Sequence, residues 1–545
     1  MSWSALPGAL RLAMASPTSS TRPAVIGALL LLVLSALGAV QAGSAGKDFT
    51  TDLELATPAL AKTPPIVLGG ETPRLARRVF VVIIDGLRAD RSYELPFLDE
   101  LRRGGLDLEA RSHYPTWSRP NYVSILAGVP PTASGVRTNY HWTPVALDSL
   151  MDRARAAGLR SAVATDYAIL PELFRAPDPP VRSAFDDARY TPWPGGFVEA
   201  GRGLVAGDAE LVVMLLSSVD IAGHEHGAAS PEYRAGAERA DRALARVLGG
   251  VDLSLDAIVV VADHGHTGPG GHGGVEPEVL AVPLILAGAG VVPSAHVEGA
   301  RLIDVAPTVA ALLGLPAPGH GLGATLVEAI AIDDAARARR IAADRQRLSI
   351  TESAVALAEA RAELAQQADR ALRLGIVALG AGLAIGIAVV LVRRRAMRLD
   401  VRVLLVTVPA FVGIYFTLIG TIGQRFSPSL VPAQGDIGRA MLPYAAAGMV
   451  AQLAVSLWAL RVHRTTAARL AAANGIAWVC LVVTMVPAGL LWAYFPPPYV
   501  VLPGPFWLVV IPAVQVAVAG TAVNVAMMLV IEVIVFAARA WHRVV

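Results

Sequence analysis

The chain has 545 residues, 54% hydrophobic and 17% charged, with a mean hydropathy of +0.53. Soluble domains carry about 25% charged residues, so these figures exclude an ordinary soluble protein and assign a large part of the chain to lipid. A formal net charge of +2, from 46 Lys+Arg against 44 Asp+Glu, argues against a nucleic-acid polymer as partner, and the single Cys480 excludes a disulfide scaffold or a Cys-rich metal site.

In chain order, residues 1–44 come first, with an apolar run from Ala24 to Val40 that follows Arg11, Arg22 and Pro23 and precedes Gln41-Ala42-Gly43-Ser44. This pattern predicts either a signal-anchor helix or a long signal peptide cut after Ala42, and both send the next segment across a membrane. Residues 45–330 have soluble composition. Continuous β-branched runs at Val79–Ile84, Leu211–Leu216 and Ala257–Ala262 predict strands buried on both faces of a mostly parallel sheet, with helical patterns between them such as Tyr233–Leu248. The expected fold class is therefore α/β, a mostly parallel sheet flanked by helices, joined to an all-α transmembrane region.

Residues 331–373 are rich in Ala, Arg, Glu and Gln and predict a helical stalk. Residues 374–545 contain apolar stretches at 374–392, 401–423, 440–460, 472–494 and 506–538, each long enough to span a bilayer about 30 Å thick. One alternating set of connecting segments holds Arg11 and Arg22, Arg393 to Arg402, Arg461 to Arg469, and Arg539 with Arg543; the short loops of the other set hold only Arg425 and Arg439. Short cytoplasmic loops retain basic residues, so both termini are expected in the cytoplasm unless the first segment is cleaved, and 45–330 outside. Glu532, near the cytoplasmic end of the last span, reads as a carboxylate that snorkels to the interface.

Ligands of parallel sheets gather at the carboxyl ends of the strands. An acid stands at or just beyond each predicted strand end: Asp85, Asp220 and Asp263. Two have histidines at ligand spacing, in Asp220-Ile221-Ala222-Gly223-His224 and in Asp263-His264, the latter followed by the Gly268 to Gly274 string around His272. Mixed carboxylate and imidazole donors suit zinc, with manganese as the alternative. In Pro115-Thr116-Trp117-Ser118-Arg119-Pro120-Asn121, Pro120 fits the first turn of a helix running to Ala127. Ser118 then sits at a helix N-terminus, where the dipole favours an anion and a cation would lower the hydroxyl's pKa.

Taken together, Val81-Val82-Ile83-Ile84-Asp85-Gly86, the Pro115 to Pro120 segment, Asp220 to His226, Asp263-His264-Gly265-His266-Thr267, Gly271-His272-Gly273-Gly274, Ile303 to Thr308 and Leu312 to Pro316 resemble the alkaline phosphatase superfamily over residues 78–325. The resembling branch is that of the type I phosphodiesterase/nucleotide pyrophosphatases and the ethanolamine phosphate transferases of GPI-anchor synthesis. The resemblance implies two metal ions, one held by Asp220, His224 and His272, the other by Asp85, Asp263, His264 and the Ser118 oxygen. It further implies Ser118 as nucleophile, Thr116 as the alternative nucleophile, and Asn139 as the amide that holds a nonbridging phosphate oxygen. Sulfatases need a C/S-x-P-x-R pattern, whereas Ser118-Arg119-Pro120-Asn121 is followed by Tyr122.

The expected activity is a membrane-anchored, two-metal phosphodiesterase or phospho-headgroup transferase with a phospho-serine intermediate. Its expected partners are membrane lipids or a lipid-linked phosphate ester outside the cytoplasm. The alternatives are a nucleotide pyrophosphatase or phosphomonoesterase on soluble substrates, a sulfatase, a non-enzymatic membrane protein, or a transporter, against which stands the lack of paired charges in the spans. Composition rich in Ala, Arg and Gly points to a bacterial cytoplasmic membrane.

Overall fold

The computed structural model describes residues 21–541 apart from 56–58, 168, 175–194, 424 and 432–436, so Arg11 and Arg543 lie outside the described residues. Six strands form one sheet: β1 (Val79–Ile84), β2 (Leu106–Arg111), β3 (Ser161–Thr165), β4 (Leu211–Leu216), β5 (Ala257–Val261) and β6 (Ala281–Gly288), in the order β2-β6-β5-β1-β4-β3. β3, β4, β1 and β5 are mutually parallel, while β6 runs antiparallel to both β5 and β2. All strands but β6 therefore point the same way. Every residue of β1, β4 and β5 is buried, as continuous apolar runs require, while β2 alternates buried and exposed positions as an edge strand does.

The register decides where the chemistry can sit. Val79 pairs with Leu211 on one side and with Ala257 on the other, and Ile84 ends level with Leu216. The carboxyl ends of β4, β1 and β5 thus emerge side by side. Asp85 is the first residue past β1, Asp263 the second past β5, and Asp220 lies in the first turn of the helix after β4.

The longer helices include α1 (Arg22–Glu54), α2 (Ser118–Ala127), α3 (Ser218–His226), α4 (Pro231–Leu248), α5 (Asp334–Arg393), α6 (Val401–Thr421), α7 (Leu442–Ala459), α8 (Thr466–Tyr494) and α9 (Pro505–Trp541). Among the described residues, α1 and α5 to α9 contain six stretches long and apolar enough to cross a membrane. Together they fit an integral membrane protein. α5 runs unbroken through the stalk and the first C-terminal apolar stretch, 60 residues in all, about 90 Å at 1.5 Å per residue. Its first turns lie on the α/β domain: buried Arg340 donates to Thr325 Oγ1 at 2.7 Å, Leu315 O at 2.7 Å and Pro307 O at 2.6 Å, and Arg347 donates to Gly323 O at 2.6 Å. Farther along, Arg373 and Arg370 lie over the rings of Trp492 and Tyr494 at the end of α8, 4.5 and 5.0 Å from the centroids. Such aromatic and basic pairs are typical of a membrane interface.

The ends of the apolar helices that face the α/β domain touch it directly. Glu54, at the end of α1, accepts from Arg137 N at 3.1 Å and Thr138 Oγ1 at 2.7 Å, and Arg137 Nη1 donates to Tyr499 O at 2.5 Å, between α8 and α9. Tyr114 Oη donates to Pro503 O at 2.6 Å. Glu532 differs from its sequence expectation. Its carboxylate is 2% exposed and takes two hydrogen bonds from Arg469, at 2.6 and 2.7 Å, instead of reaching for water. An Arg at the start of α8 and a Glu late in α9 meet because the two helices are antiparallel neighbours, which corrects the expectation that the spans lack paired charges.

Candidate metal and nucleophile site

Three loops and one helix N-terminus converge at the carboxyl end of the sheet. After β1 the chain turns at Gly86, whose φ of +74° suits glycine and whose N–H donates to Asp263 Oδ1 at 3.1 Å. A Cβ at Gly86 would lie 2.8 Å from Asp220 Cα, so the three acidic loops close-pack only because this residue has no side chain. Asp85 Oδ2 accepts from the buried Tyr122 hydroxyl on α2, and Asp85 Oδ1 lies 3.3 Å from His264 Nε2 and 3.5 Å from Ser118 Oγ.

Ser118 is the first residue of α2, with Trp117 extended before it and Pro120 in the first turn. The loop that delivers it is tied by Asn121, whose side-chain amide donates to the carbonyls of His113, Pro115 and Trp117 at 3.0, 3.2 and 3.2 Å. Ser118 is 3% exposed, and its Oγ lies 3.2 Å from His264 Nε2. Thr116 is placed differently: its hydroxyl accepts from Gly273 N at 2.8 Å and donates to Gly274 O at 3.0 Å, which ties it into the glycine-rich loop. Asn139 Oδ1 accepts the N–H of Arg119 at 3.0 Å, so its amide stands beside the Ser118–Arg119 peptide. The Arg119 side chain donates to His141 O at 2.6 Å and stacks 3.7 Å from the Trp142 ring centroid.

Hydrogen bonds fix the tautomers of the buried imidazoles. His264 Nδ1 lies 3.0 Å from Gly265 O and His272 Nδ1 lies 2.6 Å from Thr116 O. Both Nδ1 atoms must therefore carry the proton, which leaves each Nε2 with a lone pair turned to the centre. His266, which the sequence reading left out, is reversed: its Nδ1 accepts from Gly271 N at 3.1 Å, so Nε2–H donates to Asp220 Oδ1 at 2.8 Å. Its neutral form orients a carboxylate instead of offering a lone pair. His224 Nε2 lies 3.0 Å from His272 Nε2 and 3.5 Å from Asp220 Oδ1.

Two clusters result, each with ligand atoms within 4.8 Å of one another: Asp85, Asp263 and His264; and Asp220, His264, His266 and His272. His264 belongs to both. The sequence-expected residues Asp85, Ser118, Asp220, His224, Asp263, His264 and His272 are thus brought together, with Asn139 at the edge. Burial pushes the imidazoles of His264, His266 and His272 below their ordinary range, which keeps them neutral. Burial, with Asp263 and Asp220 as neighbours, holds Asp85 well above the usual carboxylate range, and burial raises Asp263 too. Asp263 Oδ2 is buried without a hydrogen-bond partner. Converging carboxylates, inward imidazole lone pairs and an orphaned carboxylate oxygen are the donor set that divalent cations satisfy.

The α/β domain is similar to known proteins. The type I phosphodiesterase / nucleotide pyrophosphatase family matches residues 79–157 and 179–269. The chain is 26% identical over 326 residues to GPI ethanolamine phosphate transferase 1 of Mus musculus, covering 48% of this chain and 34% of that one. It is 27% identical over 288 residues to the catalytic subunit of GPI ethanolamine phosphate transferase 3 of Homo sapiens, covering 46% and 26%. The chain spans about a third of the length of the curated relatives it matches. Among solved structures, murine ectonucleotide pyrophosphatase / phosphodiesterase 5 is similar at 14% identity and a TM-score of 0.39, over 44% of this chain and 96% of that one. Through its ordered motifs and the family match over residues 79–157 and 179–269, the α/β domain is similar to the type I phosphodiesterase / nucleotide pyrophosphatase family.

Proposed function

We propose that the protein is a membrane-anchored phosphodiesterase or phospho-headgroup transferase acting through phospho-Ser118 on a lipid-linked phosphate ester. The observation that carries this reading is the position of Ser118 Oγ, at a helix N-terminus, 3.2 Å from the His264 lone pair and 3.5 Å from Asp85. Residues 45–330 would be the catalytic domain, 1–44 an anchor or signal segment, 331–373 the stalk and 374–545 the membrane region. The arginine-rich loops support an orientation with the catalytic domain outside the cytoplasm.

Two divalent ions, zinc before manganese, would be held by Asp220, His224 and His272 and by Asp85, Asp263, His264 and Ser118 Oγ. When bound, they would supply the positive charge that lowers the Ser118 pKa and neutralises phosphate oxygens. His266 would keep Asp220 turned toward its ion. Ser118 Oγ bonds to phosphorus as the P–O bond to the departing alcohol breaks, and the serine proton leaves on that alcohol. Asn139 Nδ2 would donate to a nonbridging oxygen. A second alcohol, or water, then attacks phosphorus, and its proton returns to Ser118 Oγ as the headgroup is transferred or released.

The test uses full-length zinc-loaded protein in liposomes that contain a headgroup-labelled phospholipid, with soluble nucleotides, a soluble phosphodiester, a phosphomonoester and a sulfate ester in parallel. Preferred turnover of the lipid diester and a trapped phosphopeptide at Ser118 are expected, with Ser118→Ala folded but nearly inactive. Preference for the nucleotides or the soluble diester would establish the pyrophosphatase-like alternative, and preference for the monoester or the sulfate ester a phosphomonoesterase or a sulfatase. A phosphopeptide at Thr116 would move the nucleophile there.

A further inference from the structure

The loop that presents His272 is built of residues that cannot hold it still. Gly270, Gly271 and Gly273 have φ values of +104°, +91° and +118°, a conformation natural to glycine, whose unfolded freedom makes it costly to order. Thr267 and His266 bond Gly270 and Gly271 at its start, and the segment that follows is fixed from outside. On one side Thr116 does so, through its carbonyl to His272 Nδ1 and its hydroxyl to Gly273 and Gly274. On the other side the partner is not the α/β domain.

It is the short turn Pro428–Leu430 between α6 and α7. Ser429 Oγ accepts from Gly274 N at 2.8 Å and donates to Glu276 Oε2 at 2.6 Å, and Ser427 Oγ donates to Glu276 Oε1. Ser429 is fully buried, and the Ser429 carbonyl comes so near Gly271 that no Cβ would fit there. The approach to Ser118 is held in the same way: Trp117 is buried in a cluster with Phe411, Tyr415, Val431, Tyr499 and Leu508. The membrane region thus grips the chain on both sides of the candidate site.

We infer that Ser427 and Ser429, through Glu276 and Gly274, are positioning residues for His272, so that the membrane helices complete the catalytic site as well as anchoring it. This rests on the metal reading above, because it predicts a defect in one ion position only. The ion taken by Asp220, His224 and His272 would depend on the clasp, whereas that taken by Asp85, Asp263 and His264 would not.

The experiment compares full-length wild type, Glu276→Ala, Glu276→Gln and Ser427→Ala/Ser429→Ala in detergent. Its readouts are amide hydrogen exchange and zinc titration of the metal-free protein against a competing chelator. Loss of such an outer hydrogen bond weakens a metal by about 10–100-fold. Expected for Glu276→Ala and the double serine variant are faster exchange in residues 268–274 with unchanged exchange in β1 and β4, and one of two zinc equivalents weakened by that factor. Glu276→Gln should recover most of the affinity, since an amide can accept from one serine and donate to the other. Wild-type exchange and zinc binding in the alanine variants would overturn the inference, as would loosening of the whole sheet, which would make the clasp a general stabiliser. A wild-type protein that takes up no zinc would instead refute the metal reading itself.

Discussion

Replacing Asp85 by asparagine should change stability in opposite directions with and without zinc. Asp85 is buried, with ligand atoms of Asp263 and His264 within 4.8 Å. At that distance two full charges repel by about 3.5 kcal/mol at an effective dielectric of 20. Asp85 avoids part of this by its raised pKa, so relief of about 1–3 kcal/mol is the reasonable range. The sign follows from linkage. A carboxyl whose folded pKa lies above its unfolded value favours the fold below the unfolded value and loses that contribution as pH rises through the folded one. The metal-free variant should therefore melt higher than metal-free wild type at pH 8, by roughly 2–10 °C, and the gain should vanish near pH 4. The Tyr122 hydrogen bond survives, because an asparagine oxygen still accepts. With zinc the order reverses: a site filled at 1,000 times its Kd adds about 4.1 kcal/mol, more than the relief, and the variant forfeits one site's share. Thermal unfolding in detergent, with chelator or with excess zinc, measures both arms. An Asp85→Asn protein that is less stable than wild type in chelator at pH 8, or stabilised by zinc as much as wild type, would refute the electrostatic reasoning.

Other perturbations test the scaffold. Glu532→Gln should destabilise the membrane region by about 1–3 kcal/mol because it removes the charge that the partly buried Arg469 hydrogen-bonds, while Arg469→Met combined with Glu532→Gln should recover most of the loss in thermal unfolding of detergent-solubilised protein. His113 is pushed down to about 4 by burial, with Arg301 and Arg111 nearby, and its Nε2 is buried without a partner. A histidine with a depressed pKa favours the fold above its unfolded value and loses that contribution as pH falls from about 6.5 toward 4. Metal-free wild type should therefore lose up to about 3 kcal/mol relative to His113→Gln between pH 7.5 and 4, and parallel melting curves for the two across that range would count against it.

The parts legible in the sequence are those encoded locally. Val79–Ile84 and Leu211–Leu216 read as central strands because residues buried on both faces of a sheet must all be apolar, and Asp85 and Asp263 follow the apolar runs they terminate. Ser118 was readable because Pro120 marks a helix's first turn. What escaped is fixed by tertiary neighbours. His266 differs from His264 and His272 only in which backbone group meets its Nδ1, and no spacing rule predicts that Gly271 N–H will do so. Glu276 and Ser429 are 153 positions apart, and each alone is an unremarked polar residue in a loop. Glu532 read as a snorkelling acid because its partner, Arg469, stands 63 residues earlier in a neighbouring span.

The docking of the two regions also decides which experiment can address the substrate. Trp117 is 2% exposed, and the buried guanidinium of Arg137 hydrogen-bonds carbonyls in the loop between α8 and α9. Cutting the α/β domain free would uncover the residue next to Ser118 at a cost of roughly 1.5–3 kcal/mol, strand a buried cation's hydrogen bonds and release the His272 loop from Ser429. A truncated domain would lose activity for those reasons on any substrate, lipid or soluble, so its inactivity would say nothing about lipid preference. Substrate presentation is the variable that separates the two. With the protein intact, a tethered site raises the effective concentration of a substrate confined to the same bilayer without changing the chemistry at Ser118. Moving one headgroup diester from vesicle to short-chain soluble form should therefore raise KM far more than it lowers kcat; a fall in kcat alone would mean that the lipid takes part in the reacting complex itself.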